Sequence, residues 1–310
     1  MKTVFVVNPK AGQGKHGDET IEKIKRGAAD LNVDVQIYIT KGVGDGERFV
    51  REYCQTFGAA RFIACGGDGT LSEVLNGAID CAGAEIGVMP MGTGNDFCRN
   101  FQDAGDFSDV SSQLRGESIL CDAICYETTL AGETKSGYCV NMFNIGFDCN
   151  VADMTAEMKK KPLVSGSFAY ILSIFANLIR KKGANLRIEV DGEEVHNGPL
   201  LLTSVANGSY CGGGIKSNPL ASVSDGFLNI NIIKNISRIY FLRLLPLYMK
   251  GTFLKLPNIE QVILTKQCKK LTITPLAGTF RICCDGEIVD AGKTEFEIVP
   301  GAFRFVVPKG

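Results

Sequence analysis

The segment Gly66-Gly67-Asp68-Gly69-Thr70 places three glycines, a carboxylate and a hydroxyl directly after an apolar run, Arg61-Phe62-Ile63-Ala64-Cys65. Glycine lets the backbone turn tightly and brings its N–H groups close to a ligand. A helix opening after such a turn aims more N–H groups and a positive dipole end at the same point. That is chemistry for phosphate. A carboxylate facing phosphate is repulsive unless a cation lies between them, so Asp68 implies a metal nucleotide, with magnesium the expected ion.

Two other loops carry related groups. Asn8-Pro9-Lys10-Ala11-Gly12-Gln13-Gly14-Lys15 also follows an apolar run, and Gly12, Gly14 and Gly17 satisfy the G-x-G-x-x-G spacing of dinucleotide-binding turns. The Asn8-Pro9 step separates these glycines from the strand, which argues against an NAD(P)-binding oxidoreductase while leaving that reading open. Pro90-Met91-Gly92-Thr93-Gly94-Asn95-Asp96 adds hydroxyl, amide and carboxylate groups suited to a nucleotide and its cation. No G-x-x-x-x-G-K-[ST] run occurs, which excludes a Walker-type NTPase.

Such loops need a scaffold that delivers them to one edge. Strand-like patterns at 4–7, 33–39, 62–65 and 86–89 alternate with helix-like ones at 20–31, 46–57 and 71–79. This predicts a layered α/β domain over 1–122 with its glycine-rich loops at the ligand-binding edge of the sheet. After Asp122 the pattern turns antiparallel, with strands expected at 124–130, 138–145, 186–190, 200–207, 227–233, 270–274, 280–284 and 294–299. Helices are expected near 167–180 and 239–253. Residues 123–301 thus read as a β domain, and a closing strand at 302–307 is a candidate to complete the first domain.

Composition narrows the function classes. The 310 residues hold 33 Lys plus Arg against 34 Asp plus Glu, a formal net charge of -1, so no global basic field points to nucleic acid. Twelve Cys without a CxxC pair, beside only His16 and His196, argue against structural zinc and suit a reducing cytosol. The apolar stretch at 163–179 carries polar residues and falls short of the roughly 20 residues of a spanning helix. The N-terminal residues read as a first strand, not as a signal peptide.

In order and spacing, the loops at 8–15, 66–70 and 90–96 resemble the catalytic domain of the diacylglycerol kinase, sphingosine kinase and bacterial lipid kinase family. NAD kinases and phosphofructokinases share the Gly-Gly-Asp-Gly loop. The resemblance continues through Asn141-Met142-Phe143-Asn144-Ile145-Gly146-Phe147-Asp148, through 206–214 and through 219–228, so it covers nearly the whole chain. With no cysteine-rich regulatory modules, the bacterial soluble branch is most similar. The resemblance implies a fold of α/β plus β: an NAD-kinase/phosphofructokinase-like α/β domain followed by an antiparallel β-sandwich. It also implies ATP and Mg²⁺ bound in an interdomain cleft, and γ-phosphate transfer to a lipid hydroxyl. Diacylglycerol is the expected acceptor, with phosphatidylglycerol or a sphingoid base as alternatives. A non-catalytic nucleotide sensor is the reading from a different class.

Carried over position by position, the family's nucleotide contacts fall on Asn8, Pro9, Lys10, Ala11, Gly12, Thr40, Gly66, Gly67, Asp68, Gly69, Thr70, Glu73, Thr93, Asn95 and Asp96. Asp68, Asp96 and Asp122 match its acidic network around magnesium, with a domain-junction turn kept open for Asp122. Ser222, Asp225 and Phe227 match a second, structural Mg²⁺ site, although an Asp-Gly turn needs no ion. Asp285 or Glu287 is the candidate general base in the turn Asp285-Gly286-Glu287, with Asp68 as metal organiser.

An identical tripeptide, Asp191-Gly192-Glu193, makes local spacing ambiguous. The later copy is favoured because it leaves the apolar strand Ile282-Cys283-Cys284 and occupies the family's catalytic position. The helical segment at 236–250 mixes Leu, Phe and Tyr with Arg238, Arg243 and Lys250, which suits either a membrane interface or a buried helix with snorkelling basic residues. The expected partners are a lipid substrate and peripheral membrane contact at the inner face from the cytoplasm, with no nucleic acid and with a homodimer as an open option.

Overall fold

The computed structural model describes residues 1–14, 17–92, 94–146 and 183–309. Lys15, Thr93, Phe147, Asp148, the expected helix near 167–180 and the basic clusters at 159–161 and 180–182 lie outside the described residues. The chain divides into two compact units, Met1–Ala123 with Pro300–Gly310, and Ile124–Val299.

In the first unit, strands β1 (Thr3–Val7), β2 (Val35–Ile39), β3 (Arg61–Gly66) and β4 (Glu85–Pro90) alternate with helices α1 (Gly17–Asp30), α2 (Asp45–Phe57), α3 (Asp68–Ala78) and, after a loop, α4 (Val110–Arg115). β1 pairs in parallel with β2 and β3, and β3 with β4. Every residue of β1 is buried, the continuous apolar run expected of a parallel strand covered on both faces. Helix α1 buries Thr20, Ile24 and Ala28 at i, i+4 and i+8, which seats one face on the sheet. Phe5, Ile24, Ile63, Cys65 and Val110 share the resulting core, each large apolar side chain worth about 1.5–3 kcal/mol of transfer free energy.

The chain enters the second unit within β5 (Glu117–Leu130). It continues through β6 (Glu133–Cys139), β7 (Met142–Gly146), β8 (Ala184–Val190), β9 (Glu193–Ala206), β10 (Leu228–Lys234) and helix α5 (Arg238–Met249). There follow β11 (Ile263–Cys268), β12 (Lys270–Pro275), β13 (Phe280–Cys284), β14 (Glu287–Ala291) and β15 (Lys293–Val307). The ladders among β7 to β14 are antiparallel. Alternate residues of these strands, among them Phe143, Ile188, Val205, Ile230, Leu271, Ile282 and Phe296, meet in one core. The end of β15 returns to the first unit and pairs in parallel with β4, Arg304 opposite Glu85 and Phe305 opposite Ile86.

Two sequence expectations need correction. The single strand expected at 138–145 is two strands, interrupted at Val140 and Asn141. There β6 pairs with β5 and β7 pairs with β9 and β13, while the backbone between them serves a side chain from far along the chain, described below. Helix α3 begins at Asp68, three residues before the apolar periodicity, because Gly67 provides an extended N-cap immediately after β3.

Candidate functional site

The phosphate-type loops of the first unit are tied together through side chains. Asn8 follows β1, donates from its Nδ2 to Thr70 Oγ1 at 3.2 Å, and accepts Lys10 N–H at 3.0 Å on its own Oδ1. Thr70 Oγ1 thereby has a donor, and its O–H remains directed by the hydroxyl's own rotation. Gly67, the N-cap of α3, has no side chain and so supplies no cap oxygen to the helix's first N–H groups. Gly67 and Gly92 abut: a Cβ on Gly92 would lie 2.7 Å from Gly67 Cα, so both loops require glycine for backbone-to-backbone contact.

Asp68 spans from the second loop to the third. Its Oδ2 accepts Asn95 N–H at 2.9 Å and its Oδ1 accepts Asp96 N–H at 3.0 Å. Asn95 sits in the left-handed region at φ 51° and closes the loop by donating from Nδ2 to Gly92 O at 2.7 Å. A Cβ built on Gly94 would meet Asp68 Oδ2 at 2.6 Å and Asp96 Oδ2 at 3.3 Å, so the two carboxylates converge over this glycine. Asp96 is buried, with Arg99 Nε 3.4 Å from its Oδ1. Burial, and next the charge of Asp68, push the Cys98 thiol up to about 12. Converging carboxylates on a glycine-lined bed are a donor set that fits a hard divalent cation.

Other expected contact residues make structural bonds in this unit. Glu73 accepts Gly44 N–H at 2.8 Å and Gly46 N–H at 2.9 Å, so its carboxylate caps the start of α2, where Gly44 offers no side chain. Thr40 is buried just beyond β2, its N–H bonded to Val7 O at 2.9 Å. Asp122 is buried and accepts Gly301 N–H at 2.8 Å, pinning the returning end of β15. Asp68, Asp96 and Asp122 do not close into one tight ligand group among the described residues.

In the second unit the late hairpin is built around Asp285. Its backbone is left-handed at φ 43°, its N–H bonds Met142 O at 3.1 Å, and its carboxylate accepts Met142 N–H at 2.9 Å on Oδ1 and Val140 N–H at 3.0 Å on Oδ2. This clamp is what breaks the strand at 140–141. The kink is held from behind. Asn141 O accepts Asn207 N–H at 2.8 Å and Gly208 N–H at 3.1 Å, and Asn141 Nδ2 donates to Tyr210 O at 2.7 Å. The motifs at 141–146 and 206–210 thus form the support for one carboxylate. Burial raises the Asp285 carboxyl above its ordinary value, opposed by the bonds from Met142, Cys139 and Val140. Cys139 and Cys284 bring their sulfurs alongside. Glu287 is exposed at the start of β14.

The earlier copy is a near twin. Asp191 is left-handed at φ 48°, its N–H bonds Lys270 O at 2.9 Å, and its Oδ1 accepts Lys269 and Lys270 N–H at 3.0 and 2.9 Å. Its surroundings are exposed and basic, with Lys266 paired to Glu193 at 3.4 Å. Backbone geometry does not separate the copies; burial and the flanking thiols do. In the sequence Cys284 shows only an apolar setting, and Asn141 and Met142 show only a family motif, with no sign of the carboxylate they surround.

At the Ser222, Asp225 and Phe227 turn, Asp225 Oδ1 accepts Phe227 N–H at 3.0 Å and Oδ2 faces Gln267 Nε2 at 3.4 Å. Helix α5 starts with Ser237 Oγ accepting Tyr240 N–H at 3.2 Å. It buries Phe241, Leu244 and Tyr248 against Leu202, Ile233, Phe253 and Ile263. Its opposite side leaves Ile239 67% and Leu242 39% exposed beside Arg243 and Lys250.

Residues 2–125 match the model of the diacylglycerol kinase catalytic domain, and residues 141–307 match that of the YegS C-terminal NAD kinase beta sandwich-like domain. Lipid kinase YegS of Escherichia coli K12 is 31% identical over 280 residues, covering 88% of this chain and 86% of that protein. A diacylglycerol kinase structure from Bacillus anthracis str. Sterne superposes with a TM-score of 0.71 at 22% identity, over 99% of this chain and 96% of the other. Yeast NADH kinase in complex with NADH reaches 0.52 at 11% identity, over 100% and 84%.

Proposed function

The chain belongs to the lipid kinase family marked by the diacylglycerol kinase catalytic domain and the YegS-type C-terminal domain, and from that premise we propose that it transfers the γ-phosphate of ATP, as the magnesium complex, to the hydroxyl of diacylglycerol. The observation that carries the reading is the bed made by Asn8, Thr70, Asp68, Asn95 and Asp96, in which three glycine-rich loops are locked at the uncapped start of α3. Backbone N–H groups and the Thr70 hydroxyl there suit phosphate oxygens. Magnesium, when bound, neutralises charge on the transferring and leaving phosphates, and Asp68 and Asp96 are the residues that would hold it. We assign Ser222, Asp225 and Phe227 to a second, structural magnesium site, with Asp225 as its carboxylate.

Asp285 takes the proton of the attacking hydroxyl. The backbone N–H groups of Val140 and Met142 fix its carboxylate, and burial makes it a better proton acceptor than a solvated aspartate. Glu287, exposed two residues on, orients or relays. For the membrane, the outward side of α5 supplies Ile239 and Leu242 among Arg243 and Lys250, with no acidic residue in the helix, a composition that fits an anionic bilayer surface. No helix among the described residues is long and apolar enough to cross a membrane.

The test is a transfer assay with γ-labelled ATP and mixed vesicles containing diacylglycerol, phosphatidylglycerol or a sphingoid base. Label in phosphatidic acid is expected. Label confined to another lipid would reassign the acceptor, and NAD(P)-dependent reduction without any labelled lipid would replace the reading.

A further inference from the structure

Beside Asp285 the described residues contain one closed group of potential metal ligands: Cys139 Sγ, Cys284 Sγ and an Asp285 carboxylate oxygen, all within 4.8 Å of one another. We propose that these three side chains bind a thiophilic divalent cation of the zinc and cadmium class, and that its binding occupies Asp285 and switches phosphoryl transfer off. The switch rests on the assignment of Asp285 as proton acceptor; the metal site does not.

Geometry supports the site. A tetrahedral ion with bonds of about 2.3 Å to sulfur and about 2.0–2.2 Å to oxygen sets its ligands roughly 3.5–3.8 Å apart, so closing the group takes side-chain shifts of about 1 Å or less. The backbone is already fixed: Cys139 pairs with Ile124 across β5 and β6, and Cys284 pairs with Phe143 and Glu287. Val140 and Met142 N–H hold the carboxylate as outer partners hold a metal-bound carboxylate, and the Cys139 thiol already bonds it, so an ion would take the place of that S–H proton. Cys284 and Asp285 are partly exposed and give the ion a route to Cys139, which is fully buried.

The donor set selects the ion. Two thiolates and one carboxylate favour zinc or cadmium over magnesium, so the magnesium that accompanies ATP does not compete. Binding releases the two S–H protons and forms two metal–sulfur bonds and one metal–oxygen bond, with no oxidant required. The twin hairpin is an internal comparison: Asp191 is preceded by Val190 where Asp285 is preceded by Cys284, Cys268 stands near it, and no such group closes there among the described residues.

Cadmium titration of the full chain in excess magnesium, followed by the ultraviolet cadmium–thiolate band, tests the site, with Cys139→Ser and Cys284→Ser measured alongside. One equivalent bound by the wild type and lost from each variant is expected, with transfer falling about 10²-fold or more on zinc loading and returning with a chelator. Absence of the band, or an unchanged band in both variants, overturns the site; because Cys284 is partly exposed, its serine variant keeps the test valid if Cys139→Ser fails to fold. A band that both variants lose, with transfer unaffected by zinc, would leave the site standing and overturn the switch and the role of Asp285.

Discussion

Asp285 carries the sharpest residue-level expectation. A general base contributes roughly 10²- to 10⁴-fold, so Asp285→Asn should lose rate on that scale while Asp191→Asn, with the same backbone clamp in an exposed basic setting, should stay within a few-fold of wild type. The acid limb of kcat/KM should lie above the roughly 3.9 of an unperturbed aspartate, because burial raises the Asp285 carboxyl and only the ionised form accepts a proton. The stability sign follows from the same shift. A folded-state value raised above the unfolded one means more protons bound when folded, so this contribution is present below about pH 3.9 and lost as pH rises through the folded value. Asp285→Asn should therefore gain melting temperature relative to wild type between acid and neutral pH; a difference constant with pH would contradict the raised carboxyl. The sequence separates the two Asp-Gly-Glu turns by the apolar run before the second and by the family position that it matches. The clamp on Val140 and Met142 was not legible, because it joins residues 143 and 145 positions apart.

Helices α2 and α5 give the predictions at the scale of elements. Glu73 closes two N–H groups at the start of α2, so Glu73→Ala should cost about 1–2 kcal/mol in urea denaturation, and an unchanged midpoint would remove the capping role. On α5, Arg243→Glu with Lys250→Glu should weaken binding to anionic vesicles roughly 30-fold or more, since each basic residue near such a surface is worth about 1 kcal/mol. Unchanged binding would make that side ordinary solvated surface. Strands β1 and β3 could be read from their apolar runs, and the glycine clusters marked the loops. Strand β11, Ile263-Leu264-Thr265-Lys266-Gln267-Cys268, was missed because its alternation is blurred by half-buried polar residues. For α5 the sequence shows only a mixed apolar and basic composition, and tertiary packing decides that Phe241, Leu244 and Tyr248 form the inward side.

At the scale of the whole molecule, the proposed nucleotide and cation groups fall in the first unit and the proposed proton acceptor in the second, so the proposal predicts that neither unit alone transfers phosphate. Magnesium-ATP should stabilise the chain by about 2.7 kcal/mol at a hundredfold excess over Kd, and NAD(P) should not. The overall plan of an α/β unit followed by a β-rich one was legible because the hydrophobic period changes near Asp122; the strand at 302–307 shows as a candidate to complete the first domain, but its parallel pairing with β4 is a long-range closure that no local pattern encodes. The most direct measurement is transfer of labelled γ-phosphate from magnesium-ATP to diacylglycerol vesicles by the wild type, Asp285→Asn and Asp191→Asn side by side. Labelled phosphatidic acid is expected from the wild type and Asp191→Asn, with a loss of about 10²-fold or more in Asp285→Asn. No labelled lipid from the wild type, or equal rates in the two variants, would contradict it.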